Sequence, residues 1–187
     1  MDIYLIRHTT PAVSSGVCYG QSDIALADSF AEDVQTVKHK LTELDKDNVI
    51  ISSPSSRCLQ LAEILGNNVI SDSRIMELNF GEWEMKNFND INPEQLQKWT
   101  DDIIRIAPPR GESYQTLSAR CQDFWNELIQ QNYQRVTIVT HAGVIRALIA
   151  LLLEIPLQKS FCFKVDYGSV HKLVYHKDWH AIEYLNR

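Results

Sequence analysis

Three stretches of the chain follow one order: a short apolar run, an abrupt polar junction, then a helical pattern. Ile3-Tyr4-Leu5-Ile6 ends in Arg7-His8, and after a long loop a helix is predicted over Phe30 to Leu44. Val49-Ile50-Ile51 ends in Ser52-Ser53-Pro54, before a helix carrying Arg57, Leu61, Ala62 and Leu65. Val136 to Thr140 ends in His141, before a helix from about Gly143 to Leu153. Short β-branched runs alternating with helices indicate βαβ units and a parallel sheet. Runs without polar interruption fit strands buried on both faces. The expected fold is therefore α/β, a three-layer sandwich with a mainly parallel sheet flanked by helices.

Between Asp72 and Pro109 this grammar lapses. The stretch holds Met76 to Trp83, a helix candidate from Pro93 to Ile104, and Ala107-Pro108-Pro109-Arg110-Gly111. It reads as a lid-like insertion, 72–110, over the strand C-terminal ends within one domain spanning 1–187. A helix from Tyr114 to Asn132 follows, with Leu117, Cys121, Phe124, Trp125 and Leu128 at helical spacing and Ser113 as its cap. Phe161 to Val165, Ser169 to Tyr175 and Ala181 to Leu185 read as strands that extend the sheet.

Ligands of open α/β sheets sit outside the carboxyl ends of the strands. All three polar junctions fall there, so Arg7, His8, Arg57 and His141 can converge although the chain scatters them. Two arginines and two histidines at one sheet edge suit a phosphate. Arginine grips phosphoryl oxygens through paired charge-assisted hydrogen bonds. A neutral imidazole, held by its other nitrogen, can attack phosphorus. Arg57 also gains from the positive end of its helix. Glu77, entering from the lid, suits the acid that protonates a leaving oxygen, and His141 the stabiliser of developing charge. Each residue alone has a bland reading: a surface Arg-His pair, a hydrogen-bonded core histidine, a helix-capping arginine, a carboxylate beside a tryptophan. Co-occurrence at predicted strand ends is what favours a site.

Composition narrows the rest. The 187 residues are 44% hydrophobic and 22% charged, an ordinary globular balance. A net charge of -6 argues against a nucleic-acid partner but not against a small anion, because local arginines can invert the potential. Cys18, Cys58, Cys121 and Cys162 are scattered and fit reduced thiols rather than a disulfide frame or zinc site. Ile3–Ile6 halts at Arg7 without forming a leader, and Ala147–Leu153 is too short to span a membrane. The expectation is a cytoplasmic protein with no membrane partner and no metal or other cofactor. The oligomeric state stays open, a homodimer included. His176 and His180 flank a turn-like Lys177-Asp178 rather than a metal, His39 reads as solvated, and Trp83, Trp99 and Trp125 as packing. There is no GxGxxG, P-loop, DxD or HExxH pattern.

These residues resemble the histidine phosphatase superfamily over almost the whole chain. Leu5-Ile6-Arg7-His8-Thr9 is similar to its nucleophile motif, and Ser52 to Gln60 to its second phosphate-arginine motif. Glu77 to Glu84 is similar to the acid-carrying segment, and Thr140 to Arg146 to the second-histidine motif. The resemblance implies a phosphohistidine intermediate on His8, no metal, a small phosphomonoester substrate, and a site of Arg7, Arg57, His141 and Glu77. Thr9 departs from the usual glycine and would be strained at positive φ. The family's asparagine after the nucleophile lacks a clear counterpart; Gln21 and Ser14 are the candidate replacements, and Ala142 is a further candidate substrate contact. The opening Arg7 to Pro11, with Gly16 to Asp23, resembles the α-ribazole phosphatase branch. The alternatives are a phosphoglycerate mutase, a broad-specificity phosphatase, or a phosphate-binding module without turnover.

Overall fold

The computed structural model describes residues 1–41 and 48–187. Its elements run β1 (Asp2–Arg7), α1 (Phe30–Lys40), β2 (Asn48–Ser52), α2 (Ser56–Leu65), β3 (Ile70–Ser71), α3 (Pro93–Asp101), α4 (Tyr114–Leu128), β4 (Arg135–Thr140), α5 (Ala142–Leu152), β5 (Val170–His176) and β6 (Trp179–Tyr184). The predicted extension of α1 to Leu44 falls partly outside the described residues. The sheet order is β3-β2-β4-β1-β5-β6. Strands β1 to β4 pair in parallel, and β5 and β6 add an antiparallel hairpin. This is the expected α/β sandwich with a mainly parallel sheet.

Alternation along the central strands sorts the core into two clusters. Ile3, Leu5, Val136 and Ile138 pack with α4 and α5. Tyr4, Ile6, Ile50 and Val139 pack with Val34 and Val37 of α1 and Leu61 of α2. Both faces of β1 and β4 are thus buried, which is why neither strand alternates with exposed polar residues and Thr137 of β4 is itself buried. Trp83, Ile91, Trp99 and Ile104 of the 72–110 segment belong to the first cluster, so this segment shares the main core. Two backbone bonds tie its 79–82 stretch to its C-terminal end: Glu82 N–H donates to Pro109 O at 2.9 Å, and Glu112 N–H to Asn79 O at 2.9 Å.

One predicted strand is corrected. Phe161–Val165 is not in the sheet; Leu157–Cys162 is a 3-10 helix. Pro156 precedes this turn, and Ser160 is buried against the Tyr114 hydroxyl at 3.1 Å. Of the apolar residues that suggested a strand, Phe163 and Val165 pack into the first cluster, whereas Phe161 and Cys162 are exposed. Strand β3 was not predicted: it is two residues long, and both are exposed. The predicted caps and turns are found where expected, with Ser113 accepting the Thr116 N–H and the β5–β6 hairpin turning at Lys177-Asp178.

Candidate active site

The C-terminal ends of β2, β4 and β1 lie side by side, with Arg7 opposite Thr140 and Ser52 opposite Val139. Pairing continues one residue beyond the strands: His8 N–H donates to Thr140 O at 3.0 Å and Ser53 N–H to Val139 O at 2.9 Å. The sheet therefore fixes the backbones of His8, Ser53 and His141 relative to one another. Helices α2 and α5 both start at this edge, so their positive ends face the same space.

His8 is buried, and its Nδ1 lies 2.7 Å from the Thr9 carbonyl oxygen. A carbonyl can only accept, so Nδ1 carries the proton and Nε2 keeps its lone pair. Burial, then the charges of Arg57 and Arg7, hold His8 well below the usual histidine range against the opposing Thr9 bond. A neutral imidazole with a fixed tautomer is what nucleophilic attack requires. Thr9 is fully buried and absent from the positive-φ residues, so its backbone needs no glycine, although its hydroxyl is buried without a hydrogen-bond partner among the described residues.

His141 is fully buried, with its ring 5.2 Å from that of His8 in an edge-on arrangement. Arg57 Nη2 donates toward its Nδ1 at 3.3 Å, which leaves the Nε2–H to donate to Ser53 Oγ at 2.8 Å. Burial, followed by His8, Arg57, Arg7 and Arg120, holds His141 well below the usual range. An arriving phosphate dianion would relieve that charge repulsion.

Arg57 is fully buried, its guanidinium forked onto Gly20 O at 2.6 Å and Ser22 O at 2.9 Å. Arg7 Nη1 donates to Val165 O at 2.8 Å. The Nε of each arginine is buried without a hydrogen-bond partner among the described residues. Buried guanidinium N–H groups without protein partners suit an anion.

Glu77 reaches the same edge from the 72–110 segment. Its carboxylate accepts the N–H of Leu78 at 2.9 Å and of Gly143 at 3.2 Å. A Cβ on Gly143 would stand 2.3 Å from Glu77 Oε1, so glycine leaves the room this carboxylate occupies. The Glu77 carbonyl accepts from Arg120 Nη2 and Gln21 Nε2, both at 3.0 Å. Gln21 thereby joins the acid-bearing segment to the loop that holds Arg57. Ala142 opens α5 beside His141. Ser14 lies in an exposed turn and, among the described residues, makes no hydrogen bond to the histidines or arginines.

Sequence reasoning passed over several supporting groups. The Glu84 carboxylate accepts the N–H of Gln21 at 2.8 Å and of Ser22 at 2.6 Å, and also the Ser22 hydroxyl. It braces the turn whose carbonyls grip Arg57. Arg120 pairs with Glu112 at 2.6 Å and ties Arg74 O to Glu77 O. Only the spacing of Arg120 on its helix hinted that it faces inward. Among the described residues, no group of three or more His, Cys, Asp or Glu side chains is placed to hold a metal ion, and no helix is long and apolar enough to cross a membrane.

Fold and edge together define an α/β protein whose sheet edge gathers two buried histidines and two arginines, a composition suited to phosphate groups. The chain belongs to the histidine phosphatase superfamily (branch 1), whose model matches residues 3–187, and it is a phosphatase. It is 30% identical over 199 residues to the adenosylcobalamin/α-ribazole phosphatase of Escherichia coli K12, covering 100% of this chain and 96% of that one. It is 31% identical over 168 residues to a probable phosphoglycerate mutase, GpmB, of Escherichia coli O1:K1, covering 83% and 76%. The crystal structure of a putative α-ribazole-5′-P phosphatase from Escherichia coli K-12 superposes with a TM-score of 0.93 at 26% identity, covering 100% and 96%.

Proposed function

We propose that this phosphatase hydrolyses a small phosphomonoester through a phosphohistidine on His8, and that its substrate is α-ribazole 5′-phosphate or a phosphorylated cobalamin precursor. The fixed, neutral imidazole of His8 between two buried arginines carries the mechanism. His8 Nε2 attacks phosphorus in line while Arg7, Arg57 and His141 offset the charge on the equatorial oxygens. Glu77 protonates the departing ribose oxygen. It then takes a proton from the water that cleaves the phosphohistidine, returning His8 and inorganic phosphate. The scheme calls on no metal or organic cofactor.

The substrate assignment rests on likeness and on the cleft beside Glu77. That cleft is lined by Tyr19, Phe80 and Phe88. Aromatic walls suit a leaving group that carries a planar base. The α-ribazole phosphatase relative covers the full chain, which fits the same direction.

The test is phosphate release, in excess chelator, from α-ribazole 5′-phosphate, p-nitrophenyl phosphate and 3-phosphoglycerate. The ribazole ester is expected to lead in kcat/KM by about 100-fold or more, the scale of several strengthened contacts. Equal turnover of all three would leave a broad phosphatase and remove the substrate assignment. Loss of activity with chelator would remove the histidine mechanism. The mutase reading, which the GpmB relative favours, predicts interconversion of 2- and 3-phosphoglycerate in place of net hydrolysis.

A further inference from the structure

Two tyrosines outside the four motifs meet above the arginines. Tyr19 stands in the β1–α1 loop and Tyr167 in the turn before β5, and their hydroxyls are 3.0 Å apart. The guanidinium carbon of Arg7 lies 3.7 Å from the centre of the Tyr167 ring, and that of Arg57 lies 5.2 Å from the centre of Tyr19. The Tyr167 ring also tilts over His8 at 5.6 Å. Each phosphate arginine is thus pinned at its edge by main-chain carbonyls and covered on one face by a phenol.

Carbonyl bonds alone leave a guanidinium free to tilt about the pinned N–H groups. An aromatic face in contact removes that freedom and adds attraction. Neither ring sits on a strand or helix, so the hydroxyl bond is what joins two separate loops over the site. Burial, then the Tyr167 hydroxyl, push the Tyr19 phenol above its usual range, which keeps its O–H intact.

We propose that Tyr19 and Tyr167 form one hydrogen-bonded pair of positioning residues that fixes the planes of Arg57 and Arg7 for the phosphoryl group. The pair acts through the arginines and takes no part in proton transfer. This rests on the phosphate-site reading above.

The test is calorimetric binding of inorganic phosphate, with aryl phosphate kinetics alongside. Tyr167→Leu removes the ring, and it should raise the phosphate Kd about 10-fold, the scale of a desolvated cation–π contact. It should raise KM more than it lowers kcat. Tyr167→Phe keeps the ring and should recover most of that loss, remaining about threefold weaker than the unaltered chain. Tyr19→Phe should match it. The double Phe variant should stay near threefold rather than reach the product of about ninefold, because both changes break one shared bond. Phe-for-Tyr changes leave the rings packed, so unchanged melting temperatures are expected to accompany these shifts. Unchanged Kd throughout, or losses that multiply, would overturn the pair. The reading beneath it fails differently: the unaltered chain would not bind phosphate, or His8→Ala would still turn over ester.

Discussion

At the scale of single residues, the site separates charge from chemistry. In the proposed mechanism His8 supplies the attacking nitrogen, whereas Arg57 supplies a buried positive charge whose fork is already oriented by Gly20 and Ser22. Removing a donor aimed at transition-state charge costs about 100- to 1000-fold in rate. Arg57→Ala is accordingly expected to lose that much kcat/KM on an aryl phosphate. Arg57→Lys keeps the charge but cannot span both carbonyls, so its rate should fall between the two. His8→Ala should take up no covalent phosphoryl label under acid-free quench conditions, and label persisting elsewhere would displace His8 as nucleophile. The acid limb of kcat/KM follows from the same environment. Burial and two arginines lower the pKa of His8, so the imidazole stays neutral into more acidic solution than a free histidine with its value of about 6.5. Activity should therefore show no histidine-like fall near that pH, and a pH–rate profile checks it.

At the scale of elements, the junction of α5 with the 72–110 segment decides whether Glu77, the proposed acid, is in place. Gly143 is the second residue of α5, and its missing Cβ is where the Glu77 carboxylate sits. Gly143→Ala should leave the fold intact, because the clashing atom ends a flexible side chain and alanine favours a helix. It should displace Glu77 and lower kcat/KM for esters with poor leaving groups by about 100-fold, the scale of general acid catalysis, while kcat/KM for p-nitrophenyl phosphate, whose leaving group needs no acid, falls far less. Comparing an alkyl with an aryl phosphate reads this directly. Sequence made His8, Arg57 and His141 visible because parallel strands buried on both faces print unbroken apolar runs, and the break marks the strand end. The 3-10 turn at Leu157–Cys162 escapes such reading because the apolar residues at its end, Phe161 and Cys162, are exposed while Ser160 is the buried one. Strand β3 left no apolar signal at all, being two exposed residues on the sheet edge. Gln21 was legible as a site residue only through resemblance, and its contact with the Glu77 carbonyl depends on a turn that no local pattern specifies. The Glu84 brace and the Tyr19–Tyr167 contact likewise join segments far apart in sequence, which periodicity cannot see.

At the scale of the whole molecule, the packing that readies the site also sets its response to acid. His8, His141 and His171 are all buried, and burial is the leading cause of each lowered pKa. His171 lies in β5, where Ser169 Oγ lies 3.1 Å from Nε2 and the Asn186 N–H donates to Nδ1 at 3.2 Å. Burial, then the charge of Arg146, lower it to about 4. In the unfolded chain the same imidazole titrates near 6.5, so between these values the unfolded state binds more protons. Stability must then rise with pH across that window and fall as acid is added. From His171 alone the loss amounts to about 3 kcal/mol by pH 4, since a tenfold difference in proton affinity between the two states is worth about 1.4 kcal/mol. From about one pH unit above 6.5 the group is essentially neutral in both states and contributes no slope. Urea melts between pH 4 and 7 should show the decline, and His171→Asn, which does not titrate, should remove the share of the slope due to His171, leaving that of His8 and His141, without moving the pH–rate profile. A slope unchanged in that variant would assign the acid sensitivity to His8 and His141, whose burial beside Arg57 and Arg7 disfavours a charged ring in the same way.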